Sequence, residues 1–235
     1  WPLQNGLTQH QHHQNNMGAY GGPDIITDGL VAVFDAGSTR SYPGTGTVWY
    51  NLIGSVNGTL SATSIGTTTA GTMTFDGVDD TIDIPLASLA STDFTVIGVT
   101  QRTNAAAGRL IAGRLNNWLL GQWNIYMRQY FSQGWVTGAG AGPATNTTDD
   151  LNTHIWCGTG NISADTYKFR DDNVEYTTAT TAGSQGPNGF LLGKYHGNET
   201  EYAVGTITLL LVYNRVLTAA EVTQNYNAQK SRFGL

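Results

Sequence analysis

Between Gly29 and Tyr213 the chain breaks into short apolar or alternating runs, each separated from the next by turn residues. The runs are Leu30 to Phe34, Thr72 to Phe75, Thr81 to Ile84, Phe94 to Thr100, Arg109 to Ala112, Trp118 to Leu120, Asn124 to Arg128, His154 to Gly158, Thr166 to Phe169, Gly189 to Leu192 and Thr206 to Tyr213. Runs of this length suit strands, and no helical pattern intervenes. Their succession predicts antiparallel sheets packed as a sandwich, not a parallel sheet with crossover helices.

Composition supports the same reading. The 33 Thr, 30 Gly and 18 Asn make up more than a third of the 235 residues. Threonine favours strands, while Gly and Asn tolerate the positive φ of tight turns. Charged residues are 12 % of the chain, about half the usual ~25 %, which argues against charge-driven disorder and rod-like coiled coils. With 11 Lys and Arg against 17 Asp and Glu, there is no basic stripe for nucleic acid. Cys157 is the lone cysteine, so neither an intrachain disulfide nor a thiolate zinc cluster can form. The longest apolar run, Ile207 to Val212, is strand-sized and broken by Thr208, so no membrane insertion is expected.

The ends differ from the middle. Residues 1–28, rich in Gln, Asn and His and ending near Gly21-Gly22-Pro23, read as a polar arm and hinge, with the folded domain at 29–235. At the other end Thr218 and Glu221 form a capping box, and Leu217 and Val222 occupy the positions of a hydrophobic staple. A short helix is therefore expected, with Ala219, Val222 and Tyr226 on one face, Lys230 and Arg232 in its last turn and Gly234 as its stop.

Four segments carry a family resemblance. They are TDGLVAVFDAGSTRSYPGTGTVWYNLIG (27–54), MTFDGVDDTIDIP (73–85), FTVIGVTQR (94–102) and LLLVYNRVLTAAEVTQNYNAQKSRFGL (209–235). Together they resemble the laminin-G-like, concanavalin-A-like lectin domains of tailed-phage structural proteins and bacterial surface proteins. Asn51 and Ile53 depart from the Asp and Ser usual in that pattern. The resemblance implies a two-sheet jelly roll, so the expected fold is an all-β, two-sheet antiparallel sandwich with the short C-terminal helix and the extended N-terminal arm read above, the arm lying outside the resemblance. It also implies a carbohydrate-binding or adhesive role, in some members dependent on Ca²⁺.

Three groups of residues could carry chemistry. Trp118, Trp123, Tyr126 and Trp135 fall close together with Asn116 and Asn124. Aromatic faces stack on sugar rings and amides bond their hydroxyls, which makes this the glycan-binding candidate; the alternative is that the rings fill the core or an interface. Asp76, Asp79, Asp80 and Asp83 lie within eight residues and could offer oxygens to Ca²⁺, or could simply cap a tight Asp76-Gly77 turn. His10, His12 and His13 sit in the arm, where they could bind Zn²⁺ or Ni²⁺ or order only against neighbouring subunits.

A glycosidase would need a carboxylate pair such as Glu199 and Glu201, but the central acid that tunes such pairs is absent from Asn198-Glu199-Thr200-Glu201. With that pair incomplete, the family resemblance implies a non-enzymatic virion structural, decoration or fibre protein. Its partners would be further copies or other virion proteins through the arm, and host-surface glycans. The alternative is a secreted or cell-surface carbohydrate-binding module of a bacterial adhesin, with a glycoside hydrolase as a remote third.

Overall fold

The computed structural model describes residues 23–67, 71–104, 108–124, 126–137, 150–176, 185–197 and 201–235. His10, His12, His13 and Glu199 lie outside the described residues. In chain order the strands are β1 (Leu30–Asp35), β2 (Val48–Trp49), β3 (Gly58–Leu60), β4 (Gly66–Thr67), β5 (Thr72–Asp76), β6 (Ile82–Ile84), β7 (Phe94–Arg102) and β8 (Ile111–Gly113). They continue with β9 (Trp118–Trp123), β10 (Tyr126–Ser132), β11 (Thr153–Asn161), β12 (Thr166–Asp171), β13 (Val174–Tyr176), β14 (Phe190–Leu192) and β15 (Val204–Tyr213), then α1 (Ala219–Gln229) and a 3-10 turn over Lys230–Phe233.

These strands make two antiparallel sheets, the expected sandwich. One runs β13-β12-β11-β7-β15-β5-β4, the other β10-β9-β8-β14-β6-β3-β2. β15 is long enough to take β5 against its first half, through Val204↔Asp76, and β1 against its second, through Leu209↔Asp35. Its other edge is held by β7. β7 is buried from Phe94 through Thr100, on both faces, where a strand of a half-solvated sheet would alternate.

The two faces of β7 meet two different cores. Phe94 and Val96 belong to the cluster between the sheets, with Trp118, Trp156 and Phe190. Ile97 and Val99 belong to a second cluster on the outer face, with Cys157 and Leu211, closed by Leu217 and Val222 at the start of α1. The outer face is dry because the helix lies on it.

α1 starts as its sequence requires. The Thr218 hydroxyl accepts from the Glu221 amide at 3.3 Å, and the Thr218 amide donates to the Glu221 carboxylate at 2.8 Å. The bond from Arg215, with those from Thr218, holds the Glu221 carboxyl down at about 2. We expect Thr218→Ala to cost about 1 kcal/mol and to lower Tm by roughly 2–4 °C, measured by calorimetry; an unchanged Tm would show that the cap contributes nothing.

The structure corrects the sequence reading in four places. Ala219 is exposed, and Asn225 takes the buried position beside Val222, its Oδ1 accepting from Ile26 N at 2.8 Å and its Nδ2 donating to the Tyr213 hydroxyl at 3.0 Å. Periodicity of apolar residues cannot find a buried amide. Residues 24–26, counted with the arm, pack on α1: Gln224 donates to Asp24 O at 2.8 Å and Tyr213 to Ile26 O at 2.9 Å. Lys230 and Arg232 lie in the 3-10 turn after α1, not in its last turn, and Gly234 closes that turn at φ 73°. The strand expected over Asn124 to Arg128 instead spans Tyr126–Ser132, because Asn124 takes φ 54° in the turn before it.

Candidate functional site

Strand direction decides which loops meet. β5, β7, β9, β12 and β14 end, and β6, β8, β10, β11, β13 and β15 begin, at one end of the sandwich, as the pairs Val204↔Asp76, Gly205↔Arg102, Thr153↔Gln101, Leu192↔Ile111 and Trp123↔Tyr126 show. That end gathers the 76–80 turn, Arg109, Asn124 and, on either side of 198–200, the residues 194–197 and 201–203.

On β9 and β10 an aromatic shelf is built. Trp123 stacks on Tyr126 with centroids 6.0 Å apart, and lies 5.4 Å from Trp135, which meets Phe131 edge-on at 5.1 Å. All four rings keep part of their surface in solvent. Trp135 is brought back over the sheet by a turn in which exposed Gln133 takes φ 58°, forming a bridge to Phe131. Beside the shelf, Glu201 accepts from Trp123 Nε1 at 3.2 Å and from Arg109 Nε at 2.7 Å. Arg109 also donates to Asn117 Oδ1 at 2.6 Å and lies 3.9 Å over the Tyr195 ring. Burial pulls its guanidinium below the ordinary value, with Glu201 opposing. A cluster of part-exposed aromatic rings next to an oriented carboxylate and amide can stack on a sugar and bond its hydroxyls.

Two of the sequence candidates do not reach this surface. Trp118 is fully buried, with the edges of Phe94, Tyr130 and Phe190 around it at 5.7–6.1 Å. It alternates into the core because it lies on the inner face of β9. Asn116 is committed to backbone: its amide donates to Gly186 O at 2.8 Å and its Oδ1 accepts from Asn188 N at 3.1 Å. Asn124 is exposed at the turn next to Trp123. Arg109, Asn117 and Tyr195, which complete the surface, are separated from their partners by up to 92 positions, so no local pattern marks them.

The aspartates also divide. Asp76, Asp79 and Asp80 each bring an oxygen to within 4.8 Å of the others, so these three could hold a divalent cation. The turn is also self-sufficient: Asp80 accepts from Asp76 N at 3.1 Å and Asp76 from Val78 N at 2.8 Å. Burial, with the neighbouring carboxylates, raises the Asp80 carboxyl. Asp83 leaves the group, because the strand turns it onto Arg114, which grips both its oxygens at 2.5 and 3.1 Å.

A second polar cluster was not foreseen. His154 Nδ1 lies 2.7 Å from Asp171 Oδ1 and 3.0 Å from Asp172 Oδ2, Nε2 lies 3.2 Å from Asp150, and the ring stacks on Trp156 at 4.7 Å. Burial pulls the imidazole down, but the bonds to Asp171 and Asp172 outweigh it and hold it up at about 10. Asp171 turns its other oxygen to Arg128 Nε at 2.6 Å. Arg128 reaches it from a bulge, at φ 60°, opposite Gly121, whose φ of 104° and 2.9 Å clearance from Trp156 leave no room for a side chain. Cys157 faces the other way, into the helix-covered core, and burial pushes its thiol up to about 12. We expect no labelling by a thiol reagent at pH 8 until the protein is unfolded; rapid native labelling would contradict this placement.

No family model matches the chain, and no curated protein matches it. Solved structures do share its fold. Trypanosoma rangeli sialidase aligns with TM-score 0.60 at 17 % identity over 88 % of this chain and 34 % of its own. Domain 4 of AbnA, a GH43 extracellular arabinanase from Geobacillus stearothermophilus, solved with arabinotriose, aligns with TM-score 0.54 at 16 % identity over 84 % of this chain and 98 % of its own. The Botulinum neurotoxin serotype D binding domain aligns with TM-score 0.55 at 10 % identity over 86 % and 51 %. The chain thus has the jelly-roll-like β-sandwich fold of these proteins and spans about a third of the sialidase's length. The sialidase matches correct the expectation of a non-enzymatic protein: an enzyme carries this fold, so the fold gives no ground for that exclusion.

Proposed function

We propose that the chain is a carbohydrate-binding module, which stacks a saccharide on the Trp123–Tyr126–Trp135 shelf and bonds its hydroxyls through Glu201. The observation that carries this reading is the indole of Trp123, part exposed yet fixed through its N–H to a carboxylate that Arg109 orients. Rings held this way lose little entropy on binding. The arabinanase domain, which covers nearly its whole length in the match and was solved with arabinotriose, supports the same use of the fold. We further propose, on the sequence resemblance, that the module is displayed in many copies on a virion or cell surface, where weak sites gain avidity.

The test is a glycan and cell-surface binding screen of the 235-residue chain, with and without Ca²⁺, repeated on Trp123→Ala and Trp135→Ala. We expect each substitution to weaken binding about tenfold or more, the energy of a lost ring contact, in variants that circular dichroism shows to remain folded. Undiminished binding by both variants would overturn the assignment.

A further inference from the structure

Every arginine at this end of the sandwich, among the described residues, is already engaged. Arg109 is 5 % exposed and divided between Glu201, Asn117 and the face of Tyr195. Arg128 is bonded to Asp171 and lies 5.5 Å from the centre of the Tyr176 ring. Arg102 is 2 % exposed and donates to Asn104 O at 3.1 Å. Lys194 is 9 % exposed, with its ammonium 4.8 Å over the Tyr202 ring. Against these stand the Asp76–Asp79–Asp80 turn and Glu201, and the Asp150, Asp171 and Asp172 group, whose charge is met in part by His154 and Arg128.

The acceptor bonded to the aromatic shelf is a carboxylate, and among the described residues each guanidinium at this end is already committed to a partner. A sialic acid, uronate or sulfate placed on the shelf would lose the hydration of its charge without gaining a bidentate partner. It would also meet the charge of the Glu201 carboxylate, which lies 3.2 Å from Trp123 Nε1. A hydroxyl-rich neutral sugar meets the opposite situation, because Glu201 accepts hydroxyl protons and the rings take its apolar face. We infer that the site selects neutral glycans and discriminates against anionic ones. This rests on the carbohydrate-binding reading and names its ligand class.

The experiment uses matched pairs on the 235-residue chain: lactose against 3′-sialyllactose, and galactobiose against digalacturonate, with arabinotriose as a further neutral probe, all by calorimetry. The expected result is binding of a neutral member with its acidic counterpart roughly tenfold weaker or more, the gap narrowing in 0.5 M salt as repulsion is screened. Acidic members binding as tightly as their neutral partners, or more tightly, would overturn the inference while leaving the carbohydrate-binding reading in place. Failure of every neutral and acidic probe, with the cell-surface screen also negative, would overturn both.

Discussion

Trp118→Ala should destabilise the protein by about 3–5 kcal/mol, the cost of emptying a large aromatic site in a close-packed core. The indole is completely buried, and three aromatic neighbours, Phe94, Tyr130 and Phe190, present their edges to it from different strands. Phe94 comes from one sheet, Tyr130 and Phe190 from the other, so the cavity would open between the two layers. A domain whose total stability is about 5–15 kcal/mol can lose most of it this way. The expected fall in Tm is roughly 6–20 °C. Trp123→Ala, five positions along the same strand, should cost less stability, because its ring keeps part of its surface in solvent, and should remove binding. Two tryptophans of one strand would thus separate stability from function. A Trp118→Ala protein that melts with the parent would show that the inner face of β9 is not where the structure puts it.

His154→Gln should cost about 3–5 kcal/mol, because it removes the cation that Asp171 and Asp172 share. Glutamine keeps a donor but no charge, and Asp171 is only 3 % exposed, so water cannot compensate. Arg128, on the far oxygen of Asp171, would hold part of the site together. The same cluster sets a pH dependence. The folded imidazole stands at about 10, above its ordinary value of 6.5. A raised folded value means that the stabilisation is complete below pH 6.5 and declines as the pH climbs toward 10. Urea denaturation across that window should show a loss of a few kcal/mol in the parent protein, and a much flatter profile in His154→Gln. Parallel profiles would contradict the ion-pair assignment.

The sandwich is legible in the sequence because its long strands advertise themselves. β7, β11 and β15 carry nine or ten residues each and dense apolar character. By contrast β2, β3, β4 and β13 have two or three residues, too few to display a period. They pair only because neighbouring strands offer an edge. The helix cap at Thr218 and Glu221 is equally readable, since every partner lies within four residues.

The site is less readable for a related reason. Trp123, Tyr126 and Trp135 share a stretch of sequence with Trp118, and composition cannot tell an outward ring from an inward one. The bulge at Arg128 breaks the alternation that would have sorted them. Arg109 and Glu201 meet across 92 positions, through two segments that converge only when β8 and β15 start at the same end. The His154 cluster was hidden in the same way: its strand-like run places His154 and Cys157 on opposite faces, but nothing local announces the two aspartates at the end of β12.

Whether a saccharide sits on the shelf can be read from a titration of the ¹⁵N-labelled protein with a neutral oligosaccharide that binds in the screen, following the tryptophan indole N–H resonances. The Trp123 and Trp135 resonances should shift on binding, while those of the buried Trp49, Trp118 and Trp156 stay in place. Binding that leaves Trp123 and Trp135 unmoved would show that the saccharide sits elsewhere and that the shelf is not the site.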